Sequence, residues 1–160
     1  MGGPNEGTES IADKDAMILP EKAASPSVYW VGAEGNRVEF ESETIAIKPD
    51  ASPSDGLKTA IDKLLAGKES TAIPVGTELL SLKVDGDEVY IDLSNKFSEG
   101  GGTASMVARI GQVIYTTTTV QPNAKIWLSV EGERLEMIGG EGLMVEQPLT
   151  EERFAKDFNL

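Results

Sequence analysis

Two reactive residue types are missing from this chain. None of its 160 residues is cysteine and none is histidine. Without cysteine there is no thiolate nucleophile, no disulfide and no cysteine-ligated zinc site. Without histidine a Ser-His-Asp triad cannot form, and the commonest general base and transition-metal ligand are lost. The sequence therefore predicts no catalytic residue, no metal site and no cofactor.

Positive charge and long apolar runs are also scarce. The chain has 27 acidic and 14 basic residues, a net charge of −13. This charge repels phosphate groups, so we expect no nucleic-acid partner. No apolar run approaches the ~20 residues of a membrane helix. The Met1-Gly-Gly start lacks the basic and apolar regions of a signal peptide, so membrane attachment would come only through a lipid anchor removed from the N-terminus.

The composition divides the chain into two parts. Residues 1–27 are rich in Gly, Pro, Glu, Ser, Ala and Lys, with one short apolar patch. They bury too little apolar area to offset the entropy of ordering, which predicts a disordered tail or linker. Residues 28–160 carry the periodic patterns described below and predict a single domain.

The first half of this domain predicts two hairpins and a helix. Val28–Val31 and Arg37–Glu41 form strands around a Gly-Asn turn, and Leu79–Val84 and Glu88–Leu93 form strands around Asp85-Gly86. Between them, a helix begins after the N-cap Ser52 and the first-turn residue Pro53 and ends at Gly67.

The segment Ser105–Val130 predicts a helix followed by a strand. Apolar residues at helical spacing continue into Thr116–Thr119, which are poor helix formers. We expect the helix to fray there, or to continue because tertiary packing holds it. A last short helix begins after Thr150 and carries Phe154 and Phe158. The order β-β-α-β-β-α-β predicts an α+β fold, a mostly antiparallel mixed sheet with two main helices packed on one face.

Several acidic and glycine-rich segments are candidate sites. Asp85, Asp87, Glu88 and Asp92 lie close together but lack the spacing of an EF-hand loop. The segment Gly100–Ser105 precedes a helix as an anion-binding loop would, but the lysine of a P-loop is missing. Local turn and capping roles are the simpler interpretation of both.

Aromatic side chains give the strongest binding prediction. Tyr29, Trp30, Phe40 and Trp127 are candidates for an exposed aromatic patch that contacts carbohydrate or protein, and Tyr29, Trp30 and Trp127 are the predicted binding residues. Adjacent strand residues point to opposite faces, so at least one of Tyr29 and Trp30 is expected at the surface. Packing of these rings in the core or at the rim of the sheet is the simpler interpretation.

Four segments, in this order and at this spacing, suggest a family: Leu64–Gly67, Ile73–Thr77, Val89–Ser94 with Phe97, and Gln112–Thr117 followed by Ile126–Gly132. Together they resemble the GerMN domain family, a module of sporulation and spore germination proteins and of bacterial envelope lipoproteins. The four threonines depart from the family pattern. The resemblance implies a non-enzymatic, extracytoplasmic domain of the cell envelope, similar to ring-building modules, with no catalytic residues to carry over.

Two functions are compatible with these features. One is a binding or scaffold domain that contacts an envelope protein or a peptidoglycan component through a sheet edge or the aromatic residues. The other is a glycoside hydrolase acting on cell-wall carbohydrate through two carboxylates. For the hydrolase, Glu39 and Glu41 are the candidates because they lie near Trp30 and Phe40.

Overall fold

The structure, a computed structural model, describes residues 25–34, 37–67, 70–139 and 142–157. Most of the predicted tail lies outside these residues, as does Phe158, so those two predictions remain untested. The first strand begins at Ser27, next to the predicted boundary between tail and domain.

The domain opens with the predicted hairpin. Strand β1 (Ser27–Glu34) pairs antiparallel with β2 (Arg37–Thr44). Both strands are longer than predicted. The chain then enters helix α1 (Pro53–Ala66), where the Ser52 hydroxyl accepts a hydrogen bond from the Asp55 N–H at 3.1 Å. Gly67 ends this helix at φ 83°, a conformation that favours glycine. The predicted start and end of α1 are confirmed.

A four-stranded sheet forms the centre of the fold, in the order β3-β4-β5-β6. Strands β3 (Leu79–Asp85) and β4 (Glu88–Leu93) are antiparallel, and β5 (Lys125–Val130) lies parallel to β4. The short β6 (Glu133–Arg134) pairs antiparallel with β5. The β3–β4 turn is formed by residues 86 and 87, one position later than the predicted pair, because Asp85 still pairs with Glu88.

Helix α2 (Thr103–Val120) connects β4 to β5 and continues through all four threonines. Every residue from Met106 to Thr118 is buried, so the helix is covered around its whole circumference. The sequence predicted one apolar stripe, whereas the helix is covered on every side. Buried side chains of α1, α2, β1, β4 and β5 belong to one apolar core.

The last segment packs onto this core. Strands β7 (Met137–Ile138) and β8 (Leu143–Met144) form a small hairpin, and α3 (Glu151–Asp157) follows. The Thr150 hydroxyl accepts a hydrogen bond from Arg153 N–H at 3.1 Å, which confirms the predicted cap. Phe154 is 1% exposed, with its ring centroid 5.7 Å from that of Tyr115.

The predicted fold class is confirmed. The domain is α+β, with mixed and mostly antiparallel pairing. Within the described residues the strands divide into three sheets: the β1–β2 hairpin, the four-stranded sheet and the β7–β8 hairpin.

Candidate binding surface

The solvent-facing side of the four-stranded sheet carries an ordered set of polar and aromatic side chains. We call it the outer face. Residues at matching register positions form rows across the strands, and the central row runs from Lys83 through Tyr90 to Trp127. The row on one side of it contains Asp85, Glu88 and Lys125, and the row on the other side contains Ser81, Asp92, Ser129 and Arg134.

Two nearly parallel aromatic rings lie at the centre of the outer face. The centroids of Tyr90 and Trp127 are 6.4 Å apart, and their planes differ by 13°. Each ring has a cation close by: Lys83 Nζ lies 5.9 Å from the Tyr90 centroid, and Arg134 Cζ lies 4.5 Å from the Trp127 centroid. Both distances fall within the range of cation–π attraction. The outer face is therefore an aromatic pair with a cation at each end.

The orientation of Trp127 is fixed by its polar edge. Its indole N–H donates a hydrogen bond to the carboxylate of Glu88, across the parallel strand pair. The Arg134 guanidinium lies over the same ring. Both contacts restrict the rotamers of the Trp127 side chain.

The predicted exposure of Tyr29 and Trp30 is wrong. Tyr29 is 2% and Trp30 4% exposed. The ring of Tyr29 packs against Tyr115 of α2 at a centroid distance of 5.6 Å, and the Trp30 indole N–H donates to the Glu43 carboxylate at 2.8 Å. The four successive residues Ser27, Val28, Tyr29 and Trp30 are all buried, so both faces of this part of β1 are covered, and α1 and α2 both contact the strand. Alternation within the strand could not reveal a second covering layer.

Trp127 lies on the surface beside Tyr90, which was not among the predicted site residues. Trp127 is half-buried, and Tyr90 is 37% exposed. The signal for Tyr90 was present in the sequence, because it alternates with Val89, Ile91 and Leu93, all of which are buried. The parallel pairing that places Tyr90 beside Trp127 joins residues distant along the chain, and no local pattern encodes it.

The open edge of β1 is already occupied. Ser27 N–H donates to the Thr119 hydroxyl at 2.9 Å, Tyr29 N–H to the Thr116 hydroxyl at 3.0 Å, and Val31 N–H to the Ser70 carbonyl at 2.8 Å. Since strand addition needs free N–H and C=O groups along an edge, this edge is closed to an incoming peptide strand.

The acidic residues near the β3–β4 turn have structural partners. Asp92 accepts a hydrogen bond from Gly132 N–H at 2.9 Å, and Glu88 accepts from Trp127. The carbonyl oxygen of Asp87 accepts from Lys125 N–H at 2.8 Å. In the part of the chain that the structure describes, no group of three or more acidic side chains is arranged to hold a metal ion.

The glycine-rich loop before α2 is hydrogen-bonded to a buried arginine side chain of that helix. Arg109 is 3% exposed and donates to the carbonyl oxygens of Phe97 and Glu99, both at 2.7 Å, and of Gly100 at 2.9 Å. Burial lowers the pKa of the Arg109 guanidinium. These hydrogen bonds hold the loop against α2. They give a structural role to the segment Gly100–Ser105, the candidate anion-binding loop.

No helix in the described ranges is long and apolar enough to cross a bilayer.

A comparison with protein families decides the relationship. The family model described as "Germane: Sporulation and spore germination" matches residues 27–136, more than half of the chain. The chain belongs to this family. The resemblance to GerMN domains inferred from the four segments is thereby confirmed. The match ends at Glu136, so the β7–β8 hairpin and α3 lie beyond it. No curated protein matches the chain in sequence.

Solved structures agree with the family match. The first GerMN domain of the sporulation protein GerM from Bacillus subtilis is 14% identical, with a TM-score of 0.57, over 79% of this chain and 98% of that chain. A candidate lipoprotein from Clostridium perfringens is 19% identical, with a TM-score of 0.54, over 84% and 93%. The tandem GerMN domains of GerM give a TM-score of 0.58 at 14% identity, over 79% and 46%.

At these identities the likeness shows a common fold. Neither the family match nor the structural neighbours support the glycoside hydrolase alternative.

Proposed function

We propose that this chain is a non-enzymatic binding domain of the bacterial cell envelope, located outside the cytoplasm. The model of its family carries the description "Sporulation and spore germination". Its structural neighbours include a candidate lipoprotein and a sporulation protein. These relationships support the location. The absence of cysteine and histidine supports a role in binding, because it removes the side chains most used in catalysis at neutral pH.

The binding surface is the outer face of the four-stranded sheet. The observation that carries this proposal is the Tyr90–Trp127 pair, which stays at the surface although both rings are large. Aromatic and arginine side chains dominate the energy of protein interfaces, and Arg134 lies directly over Trp127. The partner is an envelope protein or a peptidoglycan component, and both would use the same pair of rings.

The first experiment measures binding to purified peptidoglycan and to envelope protein fractions. The unchanged protein is expected to co-sediment with one of them. Trp127→Ala should weaken that binding by at least about tenfold, as expected for an aromatic residue at the centre of an interface. Tyr90→Ala is the second variant, since it leaves the Glu88–Trp127 hydrogen bond in place. Far-ultraviolet circular dichroism would check that each variant folds.

A matched control lies on another surface. Val75 is 81% exposed in the loop before β3, so Val75→Ala removes apolar surface without touching the outer face. It should bind as the unchanged protein does. Equal binding by all variants would contradict the outer face as the site.

The same samples test the non-enzymatic assignment. Incubation with peptidoglycan should release no soluble sugar fragments. Release that disappears in a Glu39→Gln or Glu41→Gln variant would overturn the proposal in favour of a hydrolase. In β2 these two carboxylates lie opposite Gly32 and Trp30.

A further inference from the structure

A cleft beside α3 brings basic side chains together in an otherwise acidic chain. The cleft is open to solvent and has a volume of about 480 Å³. The charged side chains that line it are Lys125, Glu146, Glu152, Arg153 and Lys156. The whole chain has 27 acidic and 14 basic residues, whereas in this lining the basic residues outnumber the acidic ones. We call it the α3 cleft.

The charged groups of the α3 cleft are not paired with one another. Glu152 and Lys156 are four residues apart in α3, in the order that suits an ion pair along a helix. Within the described residues, however, neither of them joins an ion pair, and the same holds for Lys125, Glu146 and Arg153. All five residues are exposed, so groups of both signs are available to a ligand.

The backbone that carries these groups is fixed by contacts with the core. The Ile126 N–H of β5 donates to the Leu149 carbonyl at 2.9 Å, and the Leu149 N–H donates back to the Ile126 carbonyl at 2.7 Å. The Gln147 side chain bonds the N–H and the carbonyl of Leu128, at 2.7 and 2.9 Å. In α3, Phe154 is 1% exposed and anchors the helix. The segments that line the cleft are therefore held together before a ligand binds.

We propose that the α3 cleft binds a small acidic zwitterion, of the size of a dipeptide, that carries more carboxylate than ammonium groups. Its carboxylates pair with Arg153 and the two lysines, and its ammonium group pairs with Glu146 or Glu152. A guanidinium holds a carboxylate through two parallel hydrogen bonds, so Arg153 is the main anchor. A simple anion such as phosphate would lie beside two carboxylates that repel it. The cleft volume falls within the ~300–1,000 Å³ of small-molecule sites.

This site is distinct from the outer face, with which it shares only Lys125. Its other charged residues lie after Glu136, beyond the residues that the family model matches. The proposal therefore does not depend on binding by Tyr90 and Trp127. The variants that test it leave Lys125 unchanged, so that the two proposals can fail separately.

The test titrates three probes into the full chain, labelled with ¹⁵N, at pH 7 and low salt. The first probe is the dipeptide alanyl-glutamate, which has two carboxylates and a free amino group. The second is its N-acetyl form, which lacks the ammonium group, and the third is inorganic phosphate. The amide signals of Thr150 and Arg153 are expected to shift, and to saturate at the lowest concentration with the dipeptide. Gly56 in α1, which is buried and does not line the cleft, is the internal reference.

Variants of the basic residues separate this site from general attraction between charges. Arg153→Gln should weaken dipeptide binding about tenfold, and Lys156→Gln about threefold, because an exposed single ion pair contributes less than a bidentate one. Lys63→Gln is the matched control, since Lys63 is also an exposed lysine in the last turn of a helix but does not line the cleft. It should bind as the unchanged protein does. Equal losses for Lys63→Gln and Lys156→Gln, or no loss in either cleft variant, would contradict the proposal.

A second comparison tests the contact with the ammonium group. Acetylation makes the probe more negative, so repulsion by the acidic chain would also favour the free dipeptide. A Glu146→Gln/Glu152→Gln variant should reduce the preference for the free dipeptide about threefold. A Glu78→Gln/Glu99→Gln variant, which changes two exposed glutamates outside the cleft, should keep it. The proposal is overturned if both double variants behave alike, or if the acetylated dipeptide or phosphate binds as tightly as the free dipeptide.

Discussion

At the scale of single residues, one glycine determines how three elements meet. Gly111 lies in the middle of α2, and a Cβ built on it would be 2.6 Å from Phe40 Cζ and 2.9 Å from Phe154 Cζ. Both distances are shorter than any normal carbon–carbon contact. The absence of a side chain at this position therefore allows β2 and α3 to approach the helix.

Replacing Gly111 with alanine is expected to destabilise the protein. Alanine favours a helix over glycine by about 1 kcal/mol, but overpacking a core costs about 1–3 kcal/mol. Phe154 is 1% exposed and has little room to move, so the steric term should win. We expect a net loss of up to about 2 kcal/mol in the free energy of unfolding, measured by urea denaturation.

Gly56 in α1 is the matched control. A Cβ there would lie 3.5 Å from Ile47 Cγ2 and from Val120 Cγ1, which is an ordinary contact. Gly56→Ala should therefore gain up to about 1 kcal/mol from helix propensity. If the two substitutions changed stability in the same direction, the close packing around Gly111 would not be the determining factor.

At the scale of elements, the junction between α2 and β1 explains two of the four threonines, Thr116 and Thr119. Gln112, Thr116 and Thr119 lie at i, i+4 and i+7, on one side of the helix. The Gln112 amide donates to the Tyr29 carbonyl at 2.9 Å, and the two hydroxyls accept from N–H groups of β1. These residues weaken helix propensity, and tertiary hydrogen bonds compensate for it.

This junction also shows what the sequence could and could not predict. The caps at Ser52 and Thr150 use bonds between residues three apart, so local patterns were enough. Continuation of α2 was only one of two predicted outcomes, because it depends on Tyr29, 87 residues away in sequence. The two tryptophans show the same contrast between local and long-range effects. The position of Trp127 at the surface follows from alternation within its own strand, whereas Trp30 is buried by contacts with other elements.

Two adjacent threonines should respond in opposite ways to the same substitution. Thr116→Val withdraws the acceptor of the buried Tyr29 N–H, which costs about 1–3 kcal/mol. Thr117 is equally buried, but its hydroxyl has no hydrogen-bond partner within the described residues. Thr117→Val should therefore be neutral or stabilising by up to about 1 kcal/mol, because it removes a desolvated polar group.

Thermal unfolding of the two valine variants checks this prediction, with the unchanged protein alongside. The two changes share their chemistry, their helix and their depth of burial, so propensity and volume effects largely cancel. Equal loss of stability in both variants would mean that the hydroxyl of Thr116 does not support β1.

At the scale of the whole molecule, one core continues past the end of the family match. Leu149 bridges to Ile126 of β5, and Phe154 packs against Tyr115 of α2. Burial raises the pKa of the Tyr115 phenol, with smaller contributions from Glu151 and Tyr29. The described residues after Glu136 therefore contribute to the same folded domain.

The charge of the whole molecule predicts how its stability depends on salt. The net charge is −13, and one ion pair among the described residues is Lys58–Asp62, with side chains 63% and 50% exposed. Screening such an exposed pair loses about 0.3–0.5 kcal/mol at most. Screening the repulsion among many carboxylates should gain more, because repulsion destabilises the compact state over long distances.

Raising sodium chloride from about 0.01 M to about 0.15 M shortens the Debye length from about 30 Å to about 8 Å. We expect Tm at pH 7 to rise by roughly 3 °C. For a domain of this size, that corresponds to a gain of about 1 kcal/mol in the free energy of unfolding. Near the sequence pI of 4.4 the net charge is close to zero, so the rise should vanish there. A Lys58→Ala variant should show a slightly larger rise, because it has no attraction to lose. A Tm that falls with salt at pH 7 would mean that attractive pairs, and not carboxylate repulsion, dominate the electrostatics of this domain.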